Sequence, residues 1–304
     1  MLPVRPSSCG DNRPHGAGGE PPLKSAVRII EIYRMNRILL ASAFLFSTIS
    51  TALADEIPSA VPAALGQVPA AVGAAPKAPA PKLVEPHLHI ARSNVAGHAR
   101  IALTFDACMG RADERILSTL VRERIPATIF VTARWLKRNP AAVAVFLQNP
   151  DLFELENHGQ NHIPAVDTPT LIYGIASAGS PQAVRQEVEG GAAAMVGAGI
   201  PAPHWFRGST AKYDLSAIGQ IRAMGYRIAG YSVNGDGGSL LGAVITEKRI
   251  ASARDGDVVI SHINQPTHAA GEGVAKALVD LKAKGTQFVR LEDVEDTGDD
   301  KTTE

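Results

Sequence analysis

The sequence predicts an α/β protein built as a barrel of about seven parallel strands that closes incompletely. Three observations lead there: short β-rich runs alternate with helical patterns from about Arg100, seven such runs occur, and polar residues collect where the runs end. An open doubly wound sheet is the alternative arrangement of the same elements. The 304 residues could hold one large domain or two ordinary ones. No internal repeat is evident, and the alternation is continuous enough to place a single folded domain over 86–294.

Each element has its own signal. The run Ile101–Phe105 reads as a strand, and Ile116, Leu117, Leu120 and Val121 then share one helical face behind an Asp113 suited to capping it. Ala127–Val131 is the second strand, and the helix from Ala141 begins just after Pro140, a residue favoured in a first turn. The short run Leu152–Glu156 leads into a histidine-containing loop. Ser180–Gly199 then opens on Ser-Pro and ends in glycines, as a helix does. His204–Phe206, Tyr226–Val233, Asp257–Ser261 and Thr286–Arg290 supply the remaining strands, with helices at about 214–224, 247–253 and 272–284.

The ends of the chain read differently. Residues 35–54 combine Arg37, an apolar stretch from Ile38 to Ile49 and small residues at Ala52 and Ala54, the pattern of a secretory signal peptide. Met35 stands directly before it, so residues 1–34 read as a segment upstream of the true start. The apolar run falls short of the ~20 residues that span a bilayer, so no stable membrane span is expected after cleavage, and the location is secreted or periplasmic. Residues 55–85 are rich in Ala and Pro and read as an extended linker, and 295–304 as an acidic, solvated tail.

The charge balance argues against nucleic acid as a partner: 30 basic and 30 acidic residues leave no electrostatic footprint. Residues 1–54 carry six of the basic and three of the acidic residues, so the exported chain holds 24 against 27. Only Cys9 and Cys108 occur, and Cys9 lies upstream of the signal, so the exported chain has no internal disulfide and relies on its core.

In barrels and open α/β sheets ligands bind at the carboxyl ends of the strands, and here those ends are unusually polar. Asp106 ends the first run, His158 and His162 follow the third, Arg207 the fourth, Asn234 and Asp236 the fifth, and His262 the sixth. Singly, each has a bland explanation as a cap, an ion pair or a structural histidine. Together they describe one site. His158 and His162 can meet a single metal ion if their segment is a helical turn, because residues four apart share a face.

These residues resemble the polysaccharide deacetylases of the NodB-homology type, metal-dependent carbohydrate esterases with a distorted (β/α) barrel. The likeness spans about 98–292. Thr104–Cys108 (TFDAC) is similar to the family's Thr-Phe-Asp-Asp motif, NHGQNH to its His-x-x-x-His motif, and Phe206–Tyr213 to its third. Tyr231–Asp236 and Val259–His262 are similar to the fourth and fifth. The resemblance implies that Asp106 is the general base, His262 the general acid and Arg207 the residue orienting the base. It further implies Asp236 as the carboxylate tuning the acid, His158 and His162 as metal ligands, and Tyr213 and Asn234 as substrate contacts. The cofactor implied is a divalent ion, most simply Zn²⁺, which polarises an acetamide carbonyl and acidifies water so that a nucleophile exists at neutral pH.

The substrate implied is an acetylated amino-sugar polysaccharide: cell wall, exopolysaccharide or a chitin-like polymer. Trp135, Trp205, Tyr173 and Tyr231 are the candidates for stacking on sugar rings.

The family's second aspartate, a metal ligand, is Ala107 here. Water, Asp106 or Cys108 can fill that place, and for Cys108 a small buried side chain is the simpler reading. Ala107 also supports a second reading, a carbohydrate-binding member impaired in catalysis. A third is an amidase of the same fold acting on a non-sugar amide. The pair His87 and His89 suggests an amidohydrolase metal site, but an alternating lead-in strand accounts for it, since no further set of ligands is left downstream.

Overall fold

The computed structural model describes residues 81–299. The segments read as an upstream stretch, a signal peptide and most of the linker lie outside the described residues. The elements run β1 (His87–Ile90), β2 (Arg100–Ala107), α1 (Glu114–Arg122), β3 (Ala127–Val131), α2 (Ala133–Arg138), α3 (Pro140–Gln148) and β4 (Phe153–Asn157). A small hairpin, β5 (Leu171–Ile172) and β6 (Ile175–Ala176), precedes α4 (Pro181–Gly197), β7 (Trp205–Phe206), α5 (Leu215–Ala223), β8 (Arg227–Ile228) and β9 (Val233–Asn234). The chain continues through α6 (Ala243–Ala251), β10 (Val258–His262), α7 (Ala270–Ala283), β11 (Gln287–Val289) and β12 (Asp296–Asp299).

Seven strands form one parallel path in the order β8-β7-β4-β3-β2-β10-β9, with β11 paired to the first residues of β2. This is the expected incomplete barrel. Its ends, β8 and β9, are consecutive in sequence yet share no ladder, so the barrel stays open between them. Tyr226–Val233 is expected as one strand and is found as two short ones. At Gly230 the main chain passes so close to Pro86 that a Cβ would lie 2.0 Å from its carbonyl oxygen. The carbonyls of Ala229 and Gly230 bond to Arg207 instead of to a neighbouring strand.

Strand alternation sorts the side chains into two layers. Ile101, Leu103, Phe105 and Ala107 of β2 pack outward in one cluster with Ile116 and Leu120 of α1 and Val274, Leu278 and Leu281 of α7. Ala102 points the other way, into a second cluster with Phe130, Trp205, Tyr231, Val258 and Ile260. Each large side chain so buried contributes roughly 1.5–3 kcal/mol. Helix starts follow their caps: Asp113 accepts from the Arg115 N–H, Thr132 from Trp135, Ser180 from Ala183 and Asp214 from Ala217.

The C-terminal segment departs from expectation. Residues 296–299 form no frayed tail but a strand, β12, antiparallel to β1. Leu88 and Ile90 of β1 are buried in the inner cluster, while His87 and His89 fall on the alternate face, so this pair of strands covers the inner cluster. Their acidic composition hid the role, because only β1 presents apolar residues inward. Among the described residues no helix is long and apolar enough to cross a membrane.

Candidate active site

The carboxyl ends of β2, β4, β7 and β10 bring Asp106, His158, Arg207 and His262 together. The register sets Asp106 beside His262 on β10 and beside Phe130 on β3. Arg207 is fully buried, and each of its nitrogens is used. Nη1 donates to Asp106 Oδ1 and Thr104 Oγ1 at 3.0 and 2.9 Å, Nε to the Ala229 carbonyl and Nη2 to the Gly230 carbonyl. Its guanidinium lies 4.3 Å from the centre of the Phe130 ring. The cation therefore bridges the open seam of the barrel and fixes the Asp106 carboxylate. Burial alone would raise the Asp106 carboxyl, but His158, Arg207 and His262 act against it and hold it below the usual carboxylate range.

The two histidines sit in a loop, not in the helical turn their spacing suggests. Gly159 and His162 both take positive φ, 90° and 64°. A Cβ at Gly159 would lie 2.5 Å from Glu187 Oε1, so only glycine fits there. Buried Glu187 of α4 accepts the Asn161 and Ile163 N–H groups and so pins the loop. The turn brings the rings to 5.1 Å between centres, which serves the same end as a helical turn. His158 Nδ1 lies 2.6 Å from the Arg207 carbonyl oxygen, which can only accept, so Nδ1 donates to it and Nε2 faces Cys108 and Asp106. His162 Nδ1 lies 3.2 Å from Ser209 Oγ.

Cys108 Sγ stands 3.5 Å from His158 Nε2, and one ligand atom from each of Cys108, His158 and His162 lies within 4.8 Å of the others. Two imidazoles facing a thiol, with Asp106 Oδ2 3.8 Å from His158 Nε2, form a donor set that suits a divalent cation. Burial would raise the Cys108 thiol, but His158, with smaller contributions from His162 and His262, brings it well below an ordinary cysteine.

On the other side, His262 Nδ1 is 3.0 Å from Asp236 Oδ1, and the His262 N–H donates to Asp236 Oδ2 at 2.6 Å. Asp236 is completely buried. Burial works against the charged imidazolium, yet Asp236 outweighs it and holds His262 well above an ordinary histidine.

Several expected contacts lie elsewhere. Asn234 is exposed and accepts the Gly237 N–H, so it shapes the turn that follows Asp236. Tyr213 is 0% exposed and accepts the Gly208 N–H at 2.6 Å. It braces the loop in which Thr210 and Ala211 adopt positive φ, and presents no surface to a substrate. Of the stacking candidates, Trp135, Trp205 and Tyr231 are buried, whereas Tyr173 is 74% exposed. Tyr173 sits at the tip of the β5–β6 hairpin, in the same connection as the two histidines, with Lys212 5.3 Å from its ring centre. Thr104, Glu187 and Ser209 are supporting residues that sequence reasoning missed. Only Thr104 left a signal, since it lies two residues before Asp106 and so faces the same side. Two surface concavities of about 500 and 420 Å³ lie by the amino ends of the strands, away from this cluster.

The incomplete parallel barrel thus gathers Asp106, Cys108, His158, His162, Arg207 and the Asp236–His262 pair at its carboxyl ends. Residues 94–229 match the family described as polysaccharide deacetylase. The solved structures agree on the fold. The Bc1960 peptidoglycan N-acetylglucosamine deacetylase aligns with a TM-score of 0.55 at 19% identity over 68% of this chain and 91% of its own. A CE4 family pseudoenzyme from Bacillus anthracis gives 0.53 at 19% identity over 68% and 67%. A family 4 acetyl xylan esterase from Clostridium thermocellum, solved with a cobalt ion, gives 0.51 at 21% identity over 64% and 89%. No curated protein matches the chain in sequence.

Proposed function

We propose that the protein is an exported, metal-dependent deacetylase that hydrolyses N-acetyl groups of an amino-sugar polysaccharide outside the cytoplasm. The observation that carries this reading is the placement of Asp106 and the Asp236–His262 pair around the Cys108, His158 and His162 donors. A divalent cation, Zn²⁺ by preference, held by those donors supplies Lewis-acid polarisation of the amide carbonyl and acidifies water.

The chain's own groups do the rest. Asp106, held ionised by Arg207, takes a proton from the attacking water. His262, whose Nδ1 is engaged by Asp236, protonates the departing sugar amine through Nε2; the amine is a poor leaving group without that proton. Asp236 fixes the tautomer of His262, and Arg207 fixes the direction of the carboxylate. Tyr173 offers an exposed ring for stacking on a sugar.

Acetate release from an acetylated chitooligosaccharide, with and without added Zn²⁺, tests the proposal. Metal-dependent release supports it. A second reading, a carbohydrate-binding member, is favoured by one observation, the alanine where the family has a carboxylate. Oligosaccharide binding with no bound metal and no acetate after Zn²⁺ addition would establish that reading instead.

A further inference from the structure

We infer that Cys108 is the third metal ligand, its sulfur completing the donor set begun by His158 and His162. This rests on the metal-dependent reading above and deepens it.

The argument begins with strand alternation. In β2 the residues Ile101, Leu103, Phe105 and Ala107 face the helices, where Ala107 is completely buried in an apolar cluster. Position 107 is thus turned away from Asp106. A carboxylate there would enter the layer beneath α1 and α7, not the cluster of histidines. Cys108 lies one residue further on, where alternation returns the side chain to the Asp106 side. Its sulfur is 3.5 Å from His158 Nε2.

The surroundings are not those of a cysteine that merely fills space. A structural thiol is packed among apolar groups, whereas the Cys108 sulfur has two imidazoles within 4.8 Å. It is a free thiol in the described structure. The other ring nitrogen of His158 is engaged by a backbone carbonyl and that of His162 by a hydroxyl, the second contacts that orient metal-bound histidines. Three protein ligands leave a fourth position for water or substrate, as catalytic zinc sites do. A thiolate in the set also changes selectivity. It favours Zn²⁺ and Co²⁺ over Mg²⁺, Ca²⁺ and Mn²⁺, which prefer oxygen donors.

The test uses the exported chain, residues 55–304, in which Cys108 is the single cysteine, freed of metal and titrated with Co²⁺ alone. One equivalent should bind and produce an intense near-ultraviolet sulfur-to-cobalt charge-transfer band, which titrating Zn²⁺ abolishes. Cys108→Ala should raise the Zn²⁺ dissociation constant by about 100-fold or more, since loss even of an outer contact costs 10–100-fold. Cys108→Asp should keep a stoichiometric ion without the band, and Ala107→Asp should leave the band unchanged. One equivalent of bound Co²⁺ without the band would overturn the inference, as would Cys108→Ala holding Zn²⁺ as tightly as the parent chain. The band is read on the unaltered protein, so the result does not depend on a variant folding. A band without acetate release refutes the deacetylase reading and leaves this inference standing, whereas release without a band does the reverse.

Discussion

Replacing Asp106 by asparagine separates chemistry, metal binding and stability at one atom. The side chain keeps its shape, and its Oδ1 can still accept from Arg207 Nη1, now 3.0 Å away, but the charge is lost. Two unit charges about 4 Å apart interact by about 4 kcal/mol at an effective dielectric constant near 20. Part of that returns, because the amide no longer bears the carboxylate's desolvation cost, and Arg207 keeps its bonds to Thr104, Ala229 and Gly230. A net loss of roughly 2–4 kcal/mol follows, or a fall of roughly 5–15 °C in Tm. Without a base, kcat should fall by roughly 10²–10⁴. Metal content should stay stoichiometric, since Cys108, His158 and His162 are untouched. The assays are thermal unfolding by circular dichroism, elemental analysis and acetate release. Activity within tenfold of the parent chain would refute Asp106 as the base. Loss of the metal would make it a ligand.

Two further predictions concern groups around the site. Glu156 is pushed up to about 9, first by burial and then by neighbouring Glu154, so it holds a proton in the folded chain that an unfolded glutamate releases near 4.5. Its contribution to stability is thus full below about pH 4.5 and is lost as pH rises toward about 9, with a slope of up to about 1.36 kcal/mol per pH unit. Glu156→Gln keeps an acceptor for the His204 and Trp205 N–H groups and should flatten that slope in urea unfolding between pH 5 and 9; an unchanged slope contradicts the assignment. Tyr213→Phe leaves the Gly208 N–H buried without its partner and should cost about 1–3 kcal/mol while KM for the oligosaccharide stays within about twofold. A large rise in KM at unchanged stability would return the phenol to the substrate pocket.

Much of the fold was legible because its strands and helices differ in local pattern. Ala127–Val131 is found with the expected limits, and Asp113 and Pro140 open their helices where their chemistry requires. The short α2, the β5–β6 hairpin and β12 were not legible. Each is too short to display a period of its own, and β12, with no apolar residue, exists through its ladder to β1.

By itself the sequence determined which residues end the strands, and therefore that Asp106, the two histidines, Arg207, Asp236 and His262 share one end of a parallel sheet. Chain order places residues on strand ends, and parallel strands put those ends on one side. What those residues do to one another was decided only by tertiary structure. Asn234 and Asp236 stand two residues apart after one strand, yet a single turn buries Asp236 against His262 and leaves Asn234 exposed. Tyr213 belongs to a motif but points into the core, and Cys108 gains its meaning from a loop fifty residues away that Glu187 of α4 holds in place. Distances between strand ends depend on barrel closure and on loops pinned by remote side chains, and neither leaves a local pattern.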